Sequence, residues 1–239
     1  CAPRPRTASG LQGDAVMPFN VEVFSGDDYT DQAAARIALA LPGRGSVVLT
    51  GGTTAGRIYE PLAAGDRGWG DLDVFFSDER CVPPDDDASN FGMASRLLFE
   101  RVRPGAVHRM KGEIAPERAA AEYHDEVSGL VEEGAGLVLL GMGADNHICA
   151  LFPGSPALEE RGRYCVPVDR PDGLGGLTLT PPVVRAARLV LLLVTGESKA
   201  EALRRAVAGI DPPDRCPVRV LADHPDVTFL VDDAAASRL

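Results

Sequence analysis

Short apolar runs recur along this chain and alternate with longer stretches in which apolar residues return every three or four positions. Residues 21–24 read as a first strand. Residues 27–41 read as a helix with Ala34, Ile37, Ala38 and Leu41 on one face, ended by Pro42-Gly43. Residues 46–50 and 72–76 read as buried strands, and a helix running through Leu62 separates them. A helix is predicted over 88–99 and a strongly amphipathic one over 116–132. The remaining strands fall at 137–140, 166–168, 177–180, 189–194 and 227–231, with a helix over 198–208 for which Ser198 is the candidate N-cap. Strands alternating with helices predict an α/β fold: a single open, mostly parallel sheet with helices on both faces. No repeat or long linker divides the chain, so one domain is expected over 17–239. Residues 1–16, rich in Arg, Pro, Ala and Gly and lacking an apolar stretch, are expected to form a disordered leader, with Met17 as the natural start.

The glycines that follow these strands carry the candidate chemistry. Gly141-Met142-Gly143-Ala144-Asp145-Asn146-His147 comes directly after the 137–140 run, and Leu151-Phe152-Pro153-Gly154 follows. An acid and an imidazole in a glycine turn at a strand's carboxyl end sit where open α/β sheets place their ligands. Gly51-Gly52-Thr53-Thr54 joins a strand to a helix, where free backbone N–H groups and hydroxyls can cradle an anion; the same residues also make an ordinary tight turn with Thr53 or Thr54 as N-cap. Asp78-Glu79-Arg80 follows another strand and can hold a hydroxyl and an anionic oxygen, or simply form a local salt bridge. Lys199 lies at a strand-to-helix junction, within reach of a phosphate or of solvent. His124 is expected on a helix surface, and His108 and His224 have no comparable setting. Cys149 reads as a packed small residue rather than a nucleophile.

Composition narrows the partners. The net charge is -11 and the pI about 4.8, which argues against nucleic acid or an anionic membrane as a partner. An anionic substrate therefore needs a local positive pocket. Arginine dominates the basic residues, and the lysines are Lys111 and Lys199. Five cysteines without a CxxC spacing predict reduced thiols in a cytoplasmic protein and no metal site. No apolar run approaches the ~18 residues of a membrane span.

Taken together, these segments resemble the 6-phosphogluconolactonase family, within the wider group that includes glucosamine-6-phosphate deaminase. Residues 49–54 look like its SGGST loop. Residues 75–84, with Ser89-Asn90-Phe91, are similar to its FFxDERxVPP…SNY segment. Residues 137–154 resemble LVLLGMGxDGHxASLFPG, and residues 177–180 and 191–202 resemble its TLT and VTGxxKAxAL segments. The resemblance is collinear over 21–232. It implies hydrolysis of 6-phosphoglucono-δ-lactone to 6-phosphogluconate in the pentose phosphate pathway, without metal or cofactor, by a monomer or weak homodimer. By position His147 is implied as the general base that activates water; a histidine's ordinary pKa of ~6.5 suits that work. Asp145 is implied to orient the imidazole or a substrate hydroxyl, Arg80 to contact the substrate and stabilise the developing oxyanion, and Gly51, Gly52, Thr53, Thr54 and Lys199 to hold the phosphate. Asp78 matches the proton-transfer carboxylate of the deaminase branch. The alternative is thus a related isomerase, deaminase or lactonase acting on a modified or unphosphorylated sugar.

Three departures stand out. Asn146 replaces the family glycine between Asp and His; asparagine tolerates a left-handed backbone, and its amide is expected to enter the site and either contact substrate or crowd it. Ala55 replaces a proline. Gly176 replaces the arginine before TLT that helps bind phosphate. Loss of such a charge-assisted contact costs roughly 1.5–3 kcal/mol, or one to two decades in affinity, unless another cation such as Arg170 reaches in.

Overall fold

The apolar runs form strands that lie side by side. A computed structural model describes residues 6–7, 19–65, 68–209 and 211–239. In chain order its strands are β1 (Arg6–Thr7), β2 (Asn20–Phe24), β3 (Gly45–Leu49), β4 (Leu72–Phe76), β5 (Asp78–Arg80), β6 (Ala106–Val107), β7 (Leu137–Gly141), β8 (Cys165–Asp169), β9 (Gly175–Leu179), β10 (Val190–Val194) and β11 (Val227–Asp232). The main sheet runs β1-β2-β11-β10-β7-β3-β4-β6, and every pairing except β1 with β2 is parallel. Apart from Arg6–Thr7, the expected leader lies outside the described residues.

Both faces of this sheet are covered, which is why its strands read as unbroken apolar runs. Val138 and Leu140 of β7 face one core; Leu137 and Leu139 face the other. In β10, Val190, Leu192 and Val194 join the first core and Leu191 and Leu193 the second. The first core is closed by α4 (Pro116–Glu132), α5 (Pro181–Arg185) and α6 (Ala200–Ala208), and the second by α1 (Tyr29–Ala40), α2 (Thr53–Ala64) and α3 (Asn90–Ala94).

Strand order places the site. From β3 the chain builds outward through β4 to β6; from β7 it builds the other way through β10 and β11. β3 and β7 are paired neighbours, with Val47 opposite Leu137 and Val48 opposite Val138. The crevice past their carboxyl ends is the topological switch point of the sheet, and the two glycine-rich turns both open into it.

A second sheet, antiparallel in the order β5-β9-β8, was not legible as such. Asp78–Arg80, expected only to follow a strand, is itself a strand, because Ser77 transfers the chain between sheets. Ser77 N donates to Leu49 O (2.8 Å), ending the parallel ladder, and Leu179 N donates to Ser77 O (2.9 Å). Two helix starts also differ from expectation. Ser89 caps α3 by accepting from Gly92 N, so that helix begins at Asn90, and it widens into a π turn over Ser95–Phe99. Ser198 caps nothing. It lies within a 3-10 turn, Glu197–Lys199, that leads into α6, and the Asp232 carboxylate instead holds the entry to this turn by accepting from Gly196 N at 3.0 Å.

Candidate active site

The turns at the switch point line a cavity of about 260 Å³ with Thr50, Gly51, Gly52, Thr53 and Thr54 on one side. Asp78 and Arg80, Gly141 to Gly143 with His147, Arg170 and Lys199 complete its polar wall. The segments singled out in the sequence therefore converge on one space.

His147 and Asp145 form its best-defined pair. His147 Nδ1 lies 2.6 Å from Asp145 Oδ1, which also accepts from His147 N at 3.2 Å. Gly143 makes room for them: a β-carbon there would fall 2.1 Å from His147 Nδ1 and 2.3 Å from Asp145 Oδ1. Partial burial works to raise the Asp145 carboxyl, but the hydrogen bonds and electrostatic attraction from His147 outweigh it and lower the carboxyl to about 2. An ionised carboxylate can only accept, so Nδ1 carries the proton and Nε2 keeps the lone pair. Because the folded value lies below the ordinary one, the pair's contribution to stability is complete above pH 3.8 and is lost as pH falls through about 2. Acid titration of wild type against Asp145→Asn should show the wild-type advantage vanish across that window.

Asn146 departs from expectation. It does adopt a left-handed backbone, φ 67°, but its side chain is fully buried and points away from the cavity, donating from Nδ2 to Ala202 O of α6 at 2.6 Å. Its carbonyl also accepts from Val218 N at 3.0 Å. Asn146 thus ties the acid–imidazole turn to the helix that follows Lys199. Asn146→Ala loses both the bond to Ala202 and the tolerance of positive φ, and should cost about 1–3 kcal/mol in denaturant unfolding. Asn146→Gly, which keeps the turn, should cost less.

The second sheet presents Asp78 and Arg80. Ser77 Oγ donates to Asp78 Oδ1 (2.8 Å). Arg80 Nη1 donates to Ala88 O (3.0 Å) and to Asn90 Oδ1, while Asn90 Nδ2 donates to Asp78 O (2.8 Å). Behind them Glu79 is 2% exposed and accepts from Arg80 N, Ser89 Oγ, Asn90 N and Phe91 N. Burial pushes the Glu79 carboxyl up, and these donors pull against that rise.

On the opposite wall, Gly52 rather than a threonine occupies the N-cap of α2, and Thr54 Oγ1 lies 2.8 Å from Thr195 Oγ1. The N–H groups of the first turn, which have no intrahelical partner, are left at the cavity. Burial lowers Lys199 from its ordinary value, and the nearby Asp145 charge opposes that.

The other histidines and Cys149 are structural. His224 is buried between Ala187 O (2.7 Å) and Asp226 N (3.1 Å), and His108 stacks on Phe75. His124, expected on the surface, is half-buried and accepts from Tyr164 N (2.9 Å). Burial holds the Cys149 thiol well above its ordinary value, so it stays protonated at neutral pH. Among the described residues no group of three or more His, Cys, Asp or Glu is placed to hold a metal, and no helix is long and apolar enough to cross a membrane.

Residues 27–229 match the family model described as glucosamine-6-phosphate isomerases/6-phosphogluconolactonase. The chain belongs to this family. A 6-phosphogluconolactonase of Synechocystis is 36% identical over 211 residues, 84% of this chain and 88% of the relative. The crystal structure of a 6-phosphogluconolactonase from Shewanella baltica superposes with a TM-score of 0.77 at 26% identity, covering 89% of this chain and 96% of that one. A monomeric glucosamine-6-phosphate deaminase shares the fold, with a TM-score of 0.81 at 23% identity over 92% of this chain and 99% of that one. Within this family fold, sequence reasoning had placed Asp78, Arg80, His147, Lys199 and the 51–54 loop in one site, and all of them line the cavity. It missed Thr195 and Asp232, which shape the turn before Lys199; the Asp that ends β11 was the only signal for the latter.

Proposed function

We propose that this protein hydrolyses 6-phosphoglucono-δ-lactone to 6-phosphogluconate. The observation that carries this reading is the Asp145–His147 pair at the mouth of a cavity that also holds Arg80 and Lys199. His147 Nε2 takes a proton from water as the oxygen attacks the lactone carbonyl carbon. The carbonyl oxygen becomes an oxyanion facing Arg80. The ring C–O bond then breaks, and the departing oxygen takes the proton from His147, which returns to its starting state. Asp145 holds the imidazole in the required tautomer throughout. The 51–54 loop and Lys199 face the phosphate.

The test is hydrolysis of the lactone by purified protein, followed as acid release against the spontaneous rate. Acceleration supports the reading, and its absence overturns it. Asp78→Asn distinguishes the deaminase-type alternative. Lactone hydrolysis should survive this substitution to within about tenfold, because its proton transfers run through His147. A loss as large as that of a general base would assign proton transfer to Asp78 instead.

A further inference from the structure

Arg170 reaches the cavity from the tip of the β8–β9 hairpin. Its backbone closes the turn, with Gly173 N donating to Arg170 O (3.0 Å) and Arg170 N to Leu174 O (3.3 Å). Asp172 braces the guanidinium from outside: Oδ2 accepts from Nε (3.2 Å) and Nη2 (3.1 Å), and Oδ1 accepts from Leu174 N (3.1 Å). The side chain is only 9% exposed, and its guanidinium carbon lies 5.7 Å from the centroid of the Phe152 ring. Nη1 stands 3.6 Å from Asp78 Oδ2 and makes no hydrogen bond among the described residues. Asp78 therefore aims this nitrogen without using its donors.

The stem of Arg170 runs over Gly176. A β-carbon at 176 would fall 2.8 Å from Arg170 Cδ and 3.0 Å from Arg170 Cγ. The register explains the crossing. Val168 pairs with Gly176, and Arg170, two residues on, points to the same face. On the other side of Gly176 its partner is Arg80 of β5. A side chain at 176 would lie in the path that Arg170 takes.

We propose that Arg170 binds the substrate's phosphate and sets the preference for phosphorylated over unphosphorylated lactone, with Gly176 as the gap that admits it. This rests on the lactonase reading above. A chain of net charge -11 repels a phosphate dianion unless cations line the cavity, and a guanidinium fork presents two parallel donors to such an oxyanion. Lys199 and the N-terminus of α2 line the same cavity and complete the anion site.

The experiment compares 6-phosphoglucono-δ-lactone with glucono-δ-lactone, and measures binding of 6-phosphogluconate and gluconate by calorimetry. Arg170→Met, which keeps the apolar stem, should raise KM for the phosphorylated lactone about ten- to a hundredfold, with kcat nearly unchanged and no change toward the unphosphorylated lactone. Arg170→Lys should fall between. Gly176→Ala should raise the same KM by displacing Arg170, yet add little to Arg170→Met, which makes the pair non-additive. An unchanged KM in Arg170→Met overturns the proposal. So does a matching fall in kcat on both lactones, which would mean that Arg170 acts through Asp78. If the wild type hydrolyses neither lactone, the lactonase reading fails, and calorimetry still decides on Arg170: weakened 6-phosphogluconate binding in the folded variant supports the assignment, and equal binding overturns it.

Discussion

Replacing His147 with alanine should lower kcat/KM for lactone hydrolysis by about 10²- to 10⁴-fold, the range that a positioned general base contributes, while KM for the phosphorylated lactone stays near the wild-type value. The expectation follows from where the imidazole is and what holds it. The bond from Nδ1 to Asp145 leaves one lone pair, on Nε2, in a ring that lines the cavity. On the proposed reading, the phosphate is held instead by Arg170, Lys199 and the 51–54 loop, which line the same cavity. The readout must be acid release corrected for spontaneous hydrolysis, because a lactone opens in water unaided. Asp145→Asn should act in the same direction. An amide can donate to Nδ1 and so favour the opposite tautomer, with the proton on Nε2 where the base is needed. A His147→Ala variant with wild-type kcat would remove the imidazole from the mechanism. A rise in KM with kcat unchanged would make it a binding group.

Much of this architecture was legible because local pattern determined it. Parallel strands covered on both faces must be apolar along their whole length, so β3, β7 and β10 announced themselves. The turns that follow them gathered at one edge because parallel strands share a direction. What was not legible depends on partners remote in sequence. Asp78–Arg80 is too short and polar to read as a strand, and it becomes one only by pairing with Gly176 to Thr178. The positive φ of Asn146 was predictable from residue type. The direction of its amide was not, since that depends on Ala202 of a helix packed beneath the turn. Gly176 marked a missing cation, and only the hairpin register places the stem of Arg170 over it.

The largest stability effect is expected at Glu79, a residue that does not line the cavity. Glu79→Ala should destabilise the protein by about 1–3 kcal/mol for each buried donor it leaves without an acceptor, a large share of the ~5–15 kcal/mol that holds a domain together. All the groups bonded to its carboxylate donate: Arg80 N at 2.8 Å and Asn90 N at 2.7 Å to Oε1, Ser89 Oγ at 2.9 Å and Phe91 N at 2.8 Å to Oε2. Alanine leaves the buried Asn90 N–H and the half-buried Arg80 and Phe91 N–H groups without an acceptor. Glutamine is not a rescue, because its NH₂ must face donors at one end of the group, so Glu79→Gln should recover only part of the loss. The same bonds fix Arg80 and Asn90, and Asn90 in turn holds Asp78 O. Activity in Glu79→Gln should therefore fall further than the folded fraction does. Urea unfolding combined with kcat/KM per folded molecule separates the two effects. Wild-type stability in Glu79→Ala would show that water replaces the carboxylate at no cost. Full activity per folded molecule would show that Arg80 holds its place in the site without Glu79 behind it.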